Sequence, residues 1–433
     1  MNETTVGIIG IVILLLLFST GIELSFAMIL VGFAGFAYTN SFDAAMNLLA
    51  RDLFEITSSY GFAVFSLFML MGQMAFNAGL AGRLYDASHR WIGHIPGGLA
   101  MATVVGATAF KAICGSSVAT SAIFASLAVP QMDRYGYDKR LSTGIVATVG
   151  TLGCIMPPSL VLIIFGLITE QSIGRLFLAG IIPGLIIAAI FMIIIYGWVK
   201  IDPSIAPKSE RSTWKQRWSS VPEVFWTFLI FVMVIGGIMG GYFTPTEAGA
   251  AGAFGVLLLT AFKKQMTFKK YVTSMSETLG SVAMIMLLLA GSATLGKFIT
   301  VTNIPQMTAD WVVGLPVNRY IILIFIMLIY QIGGSFIEDL AFLMLATPIF
   351  FPAVVKLGFD PIWFGIFVGV NQMIGVVIPP MAICVFVVKN VTKVPIWTIY
   401  KGVTPFLISL VLCLVLLCLF PQIVLWLPAM FFK

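Results

Sequence analysis

A chain of 433 residues that is 60% hydrophobic and only 10% charged, with a mean hydropathy of +1.05, is not a soluble domain, where about 25% charged residues is usual. The formal net charge of +6 would point to nucleic acid in a soluble protein, but here the placement of the charges matters more than their sum. Apolar runs recur from end to end, so the sequence specifies an all-α polytopic membrane protein.

The first run, 6–20, follows Met-Asn-Glu-Thr-Thr with no basic residue before it and no small-residue cleavage site after it. It is expected to stay as the first helix and not to be removed as a signal peptide. A second crossing at 24–39 completes the first scaffold segment, 1–60, and a helix near 60–78 belongs to an arm or interface segment, 61–96. The stretch 97–132 carries CGSSVAT at 114–120 in its middle, and 140–170 carries GTLGCIMPPS. A helix at 177–199 ends this half. A basic, polar linker follows at 200–223. The second half has scaffold helices within 224–262 (224–241 and 246–262) and a helix at 279–300. It continues with the stretch 319–355 bearing GGSFIED at 333–339, then 362–388 bearing QMIGVVIPPM, and 402–427. The five cysteines all lie in apolar segments and are odd in number, which argues for buried thiols over a disulfide framework. Two histidines with no Cys or carboxylate cluster beside them make a zinc or iron site improbable.

With these crossings, and with 97–132 and 319–355 each entering and leaving by one face, 17 of the 24 lysines and arginines fall on one side and 6 on the other, Lys111 remaining inside an apolar stretch. The positive-inside rule then places the richer face in the cytoplasm and both termini outside. The two set-aside stretches become re-entrant hairpins from opposite faces. Their turns must be buried, because lipid offers no partner to exposed backbone.

The two halves repeat. Gly115 and Pro130 are spaced as Gly333 and Pro348 are, and after a four-residue length difference Gly136-Tyr137-Asp138 matches Gly358-Phe359-Asp360 at an offset of 222. Gly153, Pro157-Pro158, Gly180 and Pro183 recur at the same offset as Gly375, Pro379-Pro380, Gly402 and Pro405. The repeats are 1–199 and 224–433. Five crossings in the first, an odd number, turn the second upside down, the inverted arrangement of many secondary transporters.

Proline lacks the N–H that continues a helix, and the glycine four residues earlier permits an irregular path. Each Pro-Pro stretch therefore becomes two half-helices around an unwound mid-membrane segment. With the two hairpin turns this brings four helix breaks together. Free N–H groups at helix N-termini suit a carboxylate, and unwound carbonyls suit Na⁺. A simple proline kink is the competing reading, less apt for two symmetric breaks beside two glycine-serine turns.

These stretches, together with AICGSSVATSAIFASLAVPQM (112–132), GTLGCIMPPSLVLIIFGLITEQSIGRLFLAGIIPG (150–184), FTPTEAGAAGAFG (243–255) and LATPIFFPAVVKLGFDPIWFGIFVGVNQMIGVVIPP (345–380), resemble the large membrane subunit of tripartite ATP-independent periplasmic (TRAP) transporters, the DctM type. The resemblance implies an elevator-type carrier of the inner membrane, coupled to Na⁺, with no other cofactor and no enzymatic activity. It also implies two partners: a small four-helix membrane subunit, and a soluble periplasmic protein that delivers an organic acid such as sialic acid or a C4-dicarboxylate. No apolar segment precedes Val6, so the small subunit is not expected to be fused at this end.

Carried over position by position, the resemblance implies one Na⁺ locus at Ser116, Ser117, Gly150, Thr151, Gly153 and Pro157. A symmetric locus falls at Gly334, Ser335, Asn371, Gly375 and Pro379. Substrate is expected near Lys111, Ser117, Thr120, Pro158, Ser159, Asp339 and Pro380. Neutral oxygens hold a monovalent cation and still release it. For any single Ser or Thr the competing role is a bond to a carbonyl one turn earlier. Asp339 either caps the returning helix or supports a Na⁺ site, and Glu338 is read as facing a watery crevice. Lys111 departs from the family pattern, since many members have a small residue there. It meets a substrate carboxylate, pairs with an acid, or snorkels. Two other functional classes stay open at this level: a stand-alone carboxylate carrier without a binding protein, and a membrane scaffold or channel subunit.

Overall fold

The computed structural model describes residues 3–207, 211–314, 316–336, 339–379 and 382–432. In the first half, α1 (Glu3–Ser19), α2 (Leu24–Thr39), α3 (Phe42–Ser58), α4 (Tyr60–Asn77) and α5 (Leu80–Ile92) precede a helical hairpin of α6 (Gly98–Lys111) and α7 (Ser117–Arg134). Then come α8 (Lys139–Val149), a 3-10 turn (Gly150–Cys154), α9 (Leu160–Thr169) and α10 (Ile173–Ile201). The second half runs α11 (Trp214–Met239), α12 (Pro245–Phe262), α13 (Phe268–Val301), α14 (Ile304–Gly314), a hairpin of α15 (Arg319–Phe336) and α16 (Asp339–Lys356), α17 (Pro361–Gly375), α18 (Ile383–Thr392), α19 (Ile396–Leu419) and α20 (Gln422–Phe431). Seven of the described helices, α4, α10, α11, α12, α13, α16 and α19, are long and apolar enough to cross a bilayer singly.

Local chemistry sets many of the helix starts. Asp138 accepts from Arg140 N to open α8, and Asp360 accepts from Ile362 N and Trp363 N to open α17, with Pro361 as first helical residue. Thr213 with Gln216, and Thr244 with Glu247, form capping boxes at α11 and α12.

The inverted symmetry is visible in the packing. Helix α2 packs on α13 and α12 on α4; α7 packs on α18 and α16 on α9; α8 packs on α19 and α17 on α10. At the 222-residue offset each second pair is the first with the repeats exchanged, so the halves interlock. Helices α7 and α16 have equal length and start 222 residues apart. The four-residue difference therefore lies before α16, in the longer α15 and the tip, and the counterpart of Pro130 is Pro352, not Pro348. Two glycines permit the close approach of α8 and α19: a Cβ on Gly402 would stand 2.7 Å from the Arg140 carbonyl carbon and 3.1 Å from Gly144 Cα.

Several element bounds differ from the sequence reading. The stretch 402–427 is two helices, because Phe420 leaves the helical region and Pro421 cannot donate to the preceding turn. The helix placed at 279–300 starts earlier, at Phe268. Helix α3 is an added element. Its buried Asp52 pairs with Lys297 of α13 and accepts from Thr294 Oγ1 at 3.3 Å. The five cysteines are free, four of them buried.

Candidate functional site

Both hairpin tips lie inside the bundle: Ile113, Cys114 and Ser117 in the first, and Gly334 and Ser335 in the second, are buried. Each tip packs on the break of its own repeat. A side chain on Gly115 would come within 2.9 Å of Pro158 O, and one on Gly375 within 3.3 Å of the Gly334 carbonyl carbon. The N-termini of α7, α9, α16 and α18 all open where these tips and breaks meet. The first break is the 3-10 turn followed by Ile155, Met156, the cis Pro157-Pro158 bond and Ser159. The second follows Gly375, where the chain leaves α17 and re-enters a helix only at Ile383.

Contacts across the repeats tie the region together. The Cys154 thiol, at the first break, donates to Asp339 Oδ2 at 4.0 Å at the start of the second hairpin's returning arm. Gln372 Nε2 donates to Asp339 O at 3.0 Å, and Asp339 Oδ1 accepts from Leu340 N at 3.0 Å. The carboxylate thus holds its own helix start while facing the first repeat. Lys111, the last residue of α6, is fully buried and donates through Nζ to Ser116 O at 2.6 Å. It therefore neither snorkels nor forms a direct ion pair among the described residues.

Most predicted hydroxyls are engaged within their own helices. Thr120 Oγ1 donates to Ser116 O at 2.9 Å, Thr151 Oγ1 to Thr148 O at 2.7 Å, and Ser335 Oγ to Ile332 O at 2.8 Å. Ser116 Oγ caps α7 by accepting from Ala119 N at 3.3 Å. Ser159 Oγ caps α9 and donates to Cys154 O at 2.7 Å. Ser117 Oγ lies 3.5 Å from Cys154 Sγ. Asn371 Nδ2 donates to Met327 O at 3.0 Å, but its Oδ1 is buried without a partner, as is Gln372 Oε1. Gln372 Oε1 faces Gly334, where a Cβ would stand 2.9 Å away. Ser121 Oγ, beside Gly150 and the Cys384 thiol, is likewise without a hydrogen bond of normal geometry. Buried polar atoms are nearly always satisfied, so these orphans stand out.

The structure thus gathers Lys111, Ser116, Ser117, Thr120, Gly150, Thr151, Gly153, Pro157, Pro158 and Ser159 around the first tip and break. Around the second it brings together Gly334, Ser335, Asp339 and Gly375, while Asn371 bonds to Met327 O of α15 and Pro379 lies in the break with its side chain exposed. Glu338 and Pro380 lie outside the described residues. Gln372, Ser121 and Cys154 belong to the region although sequence reasoning did not select them. A polar amide next to Asn371 inside an apolar helix was the available signal for Gln372.

Residues 11–423 match the profile of the family described as tripartite ATP-independent periplasmic transporter, DctM component. The chain is 35% identical over 381 residues to the C4-dicarboxylate TRAP transporter large permease protein DctM of Pseudomonas aeruginosa, covering 88% of this chain and 89% of that one. It is 32% identical over 413 residues to the sialic acid TRAP transporter large permease protein SiaM of Vibrio cholerae, covering 95% and 96%. Among solved structures, the Alcanivorax borkumensis YdaH transporter has the same fold, with a TM-score of 0.62 at 13% identity over 88% of this chain and 89% of that one.

Proposed function

This chain belongs to the DctM family of tripartite ATP-independent periplasmic transporters, and from that premise we propose that it is the large subunit that moves an organic anion across the inner membrane in symport with Na⁺. The observation that carries the reading is the meeting of four helix N-termini at two symmetric breaks. Their free N–H groups and partial positive charge favour a carboxylate. The buried, unpartnered Asn371 Oδ1 and Gln372 Oε1 offer neutral oxygens of the kind Na⁺ takes. Relatives are named for C4-dicarboxylates, sialic acid and 2,3-diketo-L-gulonate, which supports a small organic acid as the substrate.

In this reading hairpins α6–α7 and α15–α16 travel with broken helices α8–α9 and α17–α18 as an elevator. The helices α2, α4, α12 and α13 stay with a small membrane subunit, and a periplasmic protein delivers the substrate. A relative named as a permease protein DctMQ, of which this chain covers 58%, fits a large subunit working beside a further membrane segment. The bias of lysine and arginine supports placing both termini on the periplasmic side.

The test is reconstitution into liposomes with the small subunit and the periplasmic binding protein, offering radiolabelled succinate and sialic acid under an inward Na⁺ gradient. Uptake is expected only with all three proteins and Na⁺. Entry with this chain alone would replace the reading with a stand-alone carrier, and Na⁺-independent equilibration would replace it with a channel.

A further inference from the structure

The two halves are built to one plan, yet their central loci differ in a reciprocal way. The first hairpin places one basic side chain, Lys111, against its break, while the second has no lysine or arginine from 320 to 355. The second break places Gln372 beside its tip at Gly334, with Asn371 next to it in the chain and bonded to Met327 O of α15, while the matching positions of the first, 222 residues earlier, are Val149 and Gly150. One locus holds a cation and lacks amide oxygens. The other has two unpartnered amide oxygens and lacks a cation.

We propose that the Lys111 ammonium is a built-in cation that takes the place of Na⁺ at the first repeat's locus, so that exchangeable Na⁺ enters at the Asn371–Gln372 locus and not at the first. The ammonium is fully buried at the carbonyl end of α6, where cations are favoured, and it donates a hydrogen bond to Ser116 O at 2.6 Å, a tip carbonyl of the kind an alkali ion would use. Gly153 leaves room for it: a Cβ there would overlap Lys111 Nζ. A free Na⁺ beside a buried ammonium would meet a like charge with little screening. The residues named for Na⁺ at this locus therefore do not suit a second cation while Lys111 is present. A carrier arranged this way couples one Na⁺ fewer than the same bundle without the lysine. The inference rests on the Na⁺-symport reading for the Na⁺ at the Asn371–Gln372 locus and for that last consequence, and not for the role of Lys111.

The experiment uses the full chain in lipid nanodiscs, with ²²NaCl as the probe and bound Na⁺ counted per chain, alongside thermal unfolding in NaCl, KCl and choline chloride. Lys111→Ser is expected to bind one Na⁺ more than the parent and to recover stability in NaCl but not in the other salts. Lys111→Arg keeps the charge and is expected to bind the parent number. Equal Na⁺ counts in parent and Lys111→Ser, a gain in Lys111→Arg, or a Lys111→Ser protein that aggregates equally in all three salts would each overturn the assignment. A parent that binds no Na⁺ while Lys111→Ser binds one would sink Na⁺ symport and the Asn371–Gln372 locus with it, and uphold only the role of Lys111. Binding by neither would overturn both.

Discussion

Replacing Asn371 by alanine separates a structural amide from an ion ligand. In the absence of Na⁺ two effects oppose. The substitution deletes the bond from Nδ2 to Met327 O, a net loss of about 1 kcal/mol for a typical buried hydrogen bond, and it also removes the orphaned Oδ1, whose desolvation costs roughly 1–3 kcal/mol while unmet. The variant should therefore unfold within about 2 kcal/mol of the parent in KCl. In NaCl the parent gains the linkage term, about 2.7 kcal/mol at a hundred times the dissociation constant, and the variant gains little of it. The assay is thermal unfolding in matched NaCl and KCl, with Na⁺-dependent uptake as the second readout. An identical NaCl-minus-KCl shift in both proteins, or uptake that keeps its normal Na⁺ dependence, would remove Asn371 from the ion locus. A large deficit already present in KCl would show a packing role instead.

Gly402→Ala places a methyl group against the Arg140 carbonyl and Gly144. Both are backbone, so the overpacking cost of about 1–3 kcal/mol should exceed the ~1 kcal/mol gained in helix propensity, and a lower unfolding midpoint is expected. Hydrogen bonding from Arg140 holds the Asp138 carboxyl below its usual range. A depressed carboxylate stabilises the fold above its unfolded value, and that contribution is lost as pH falls through the folded one. Asp138→Asn keeps the cap and removes the charge, so its deficit, at most about 1 kcal/mol for so solvated a pair, should be present at pH 7 and shrink below about pH 4. A cysteine at Ser335, tested against the chain's native thiols as background, is expected to react with an impermeant reagent under one ion and substrate condition and be protected under another. Constant reactivity would argue against a moving site.

Helix breaks were legible because their cause is local: two adjacent prolines remove two donors, and nothing elsewhere in the chain restores them. The caps at Asp138, Asp360 and Thr244 were open to the same reading. Ser59 shows where locality ends. It separates α3 from α4, yet the residue 222 positions later, Ser281, sits inside the unbroken α13. The same residue type stands at a break in one repeat and inside a helix in the other, so the break is not set by Ser59 itself; α3 is held by the Asp52–Lys297 pair, a contact between residues far apart in sequence. The unpartnered oxygens were hidden for a related reason. A serine or threonine in a helix always has a carbonyl one turn back, and Thr120, Thr151 and Ser335 use it. Which oxygens stay unmet, Asn371 Oδ1 and Gln372 Oε1, depends on how the hairpin tip abuts the break, and no spacing rule encodes that.

Polar contacts are unevenly distributed in a way that bears on movement. Asp52–Lys297 joins α3 to α13 among the outer helices, while Cys154–Asp339 and Gln372–Asp339 lie among the hairpins and broken helices. Between these groups α13 packs on α16, and there Ser292 Oγ donates to Met344 O at 2.7 Å. In a membrane, apolar helix faces slide with little change in burial because lipid and protein are equally apolar, so polar links decide which surfaces part. If α16 moves past α13 in the proposed elevator, the Ser292–Met344 bond must break, and Ser292→Ala is then expected to destabilise the arrangement seen here relative to a second end state. The loss of about 1 kcal/mol corresponds to a roughly five-fold change in the ratio of the two states, read as the protected fraction of a cysteine at Ser335 under fixed ions. An unchanged fraction would mean that α13 and α16 move together, and the dividing surface would then have to be sought elsewhere.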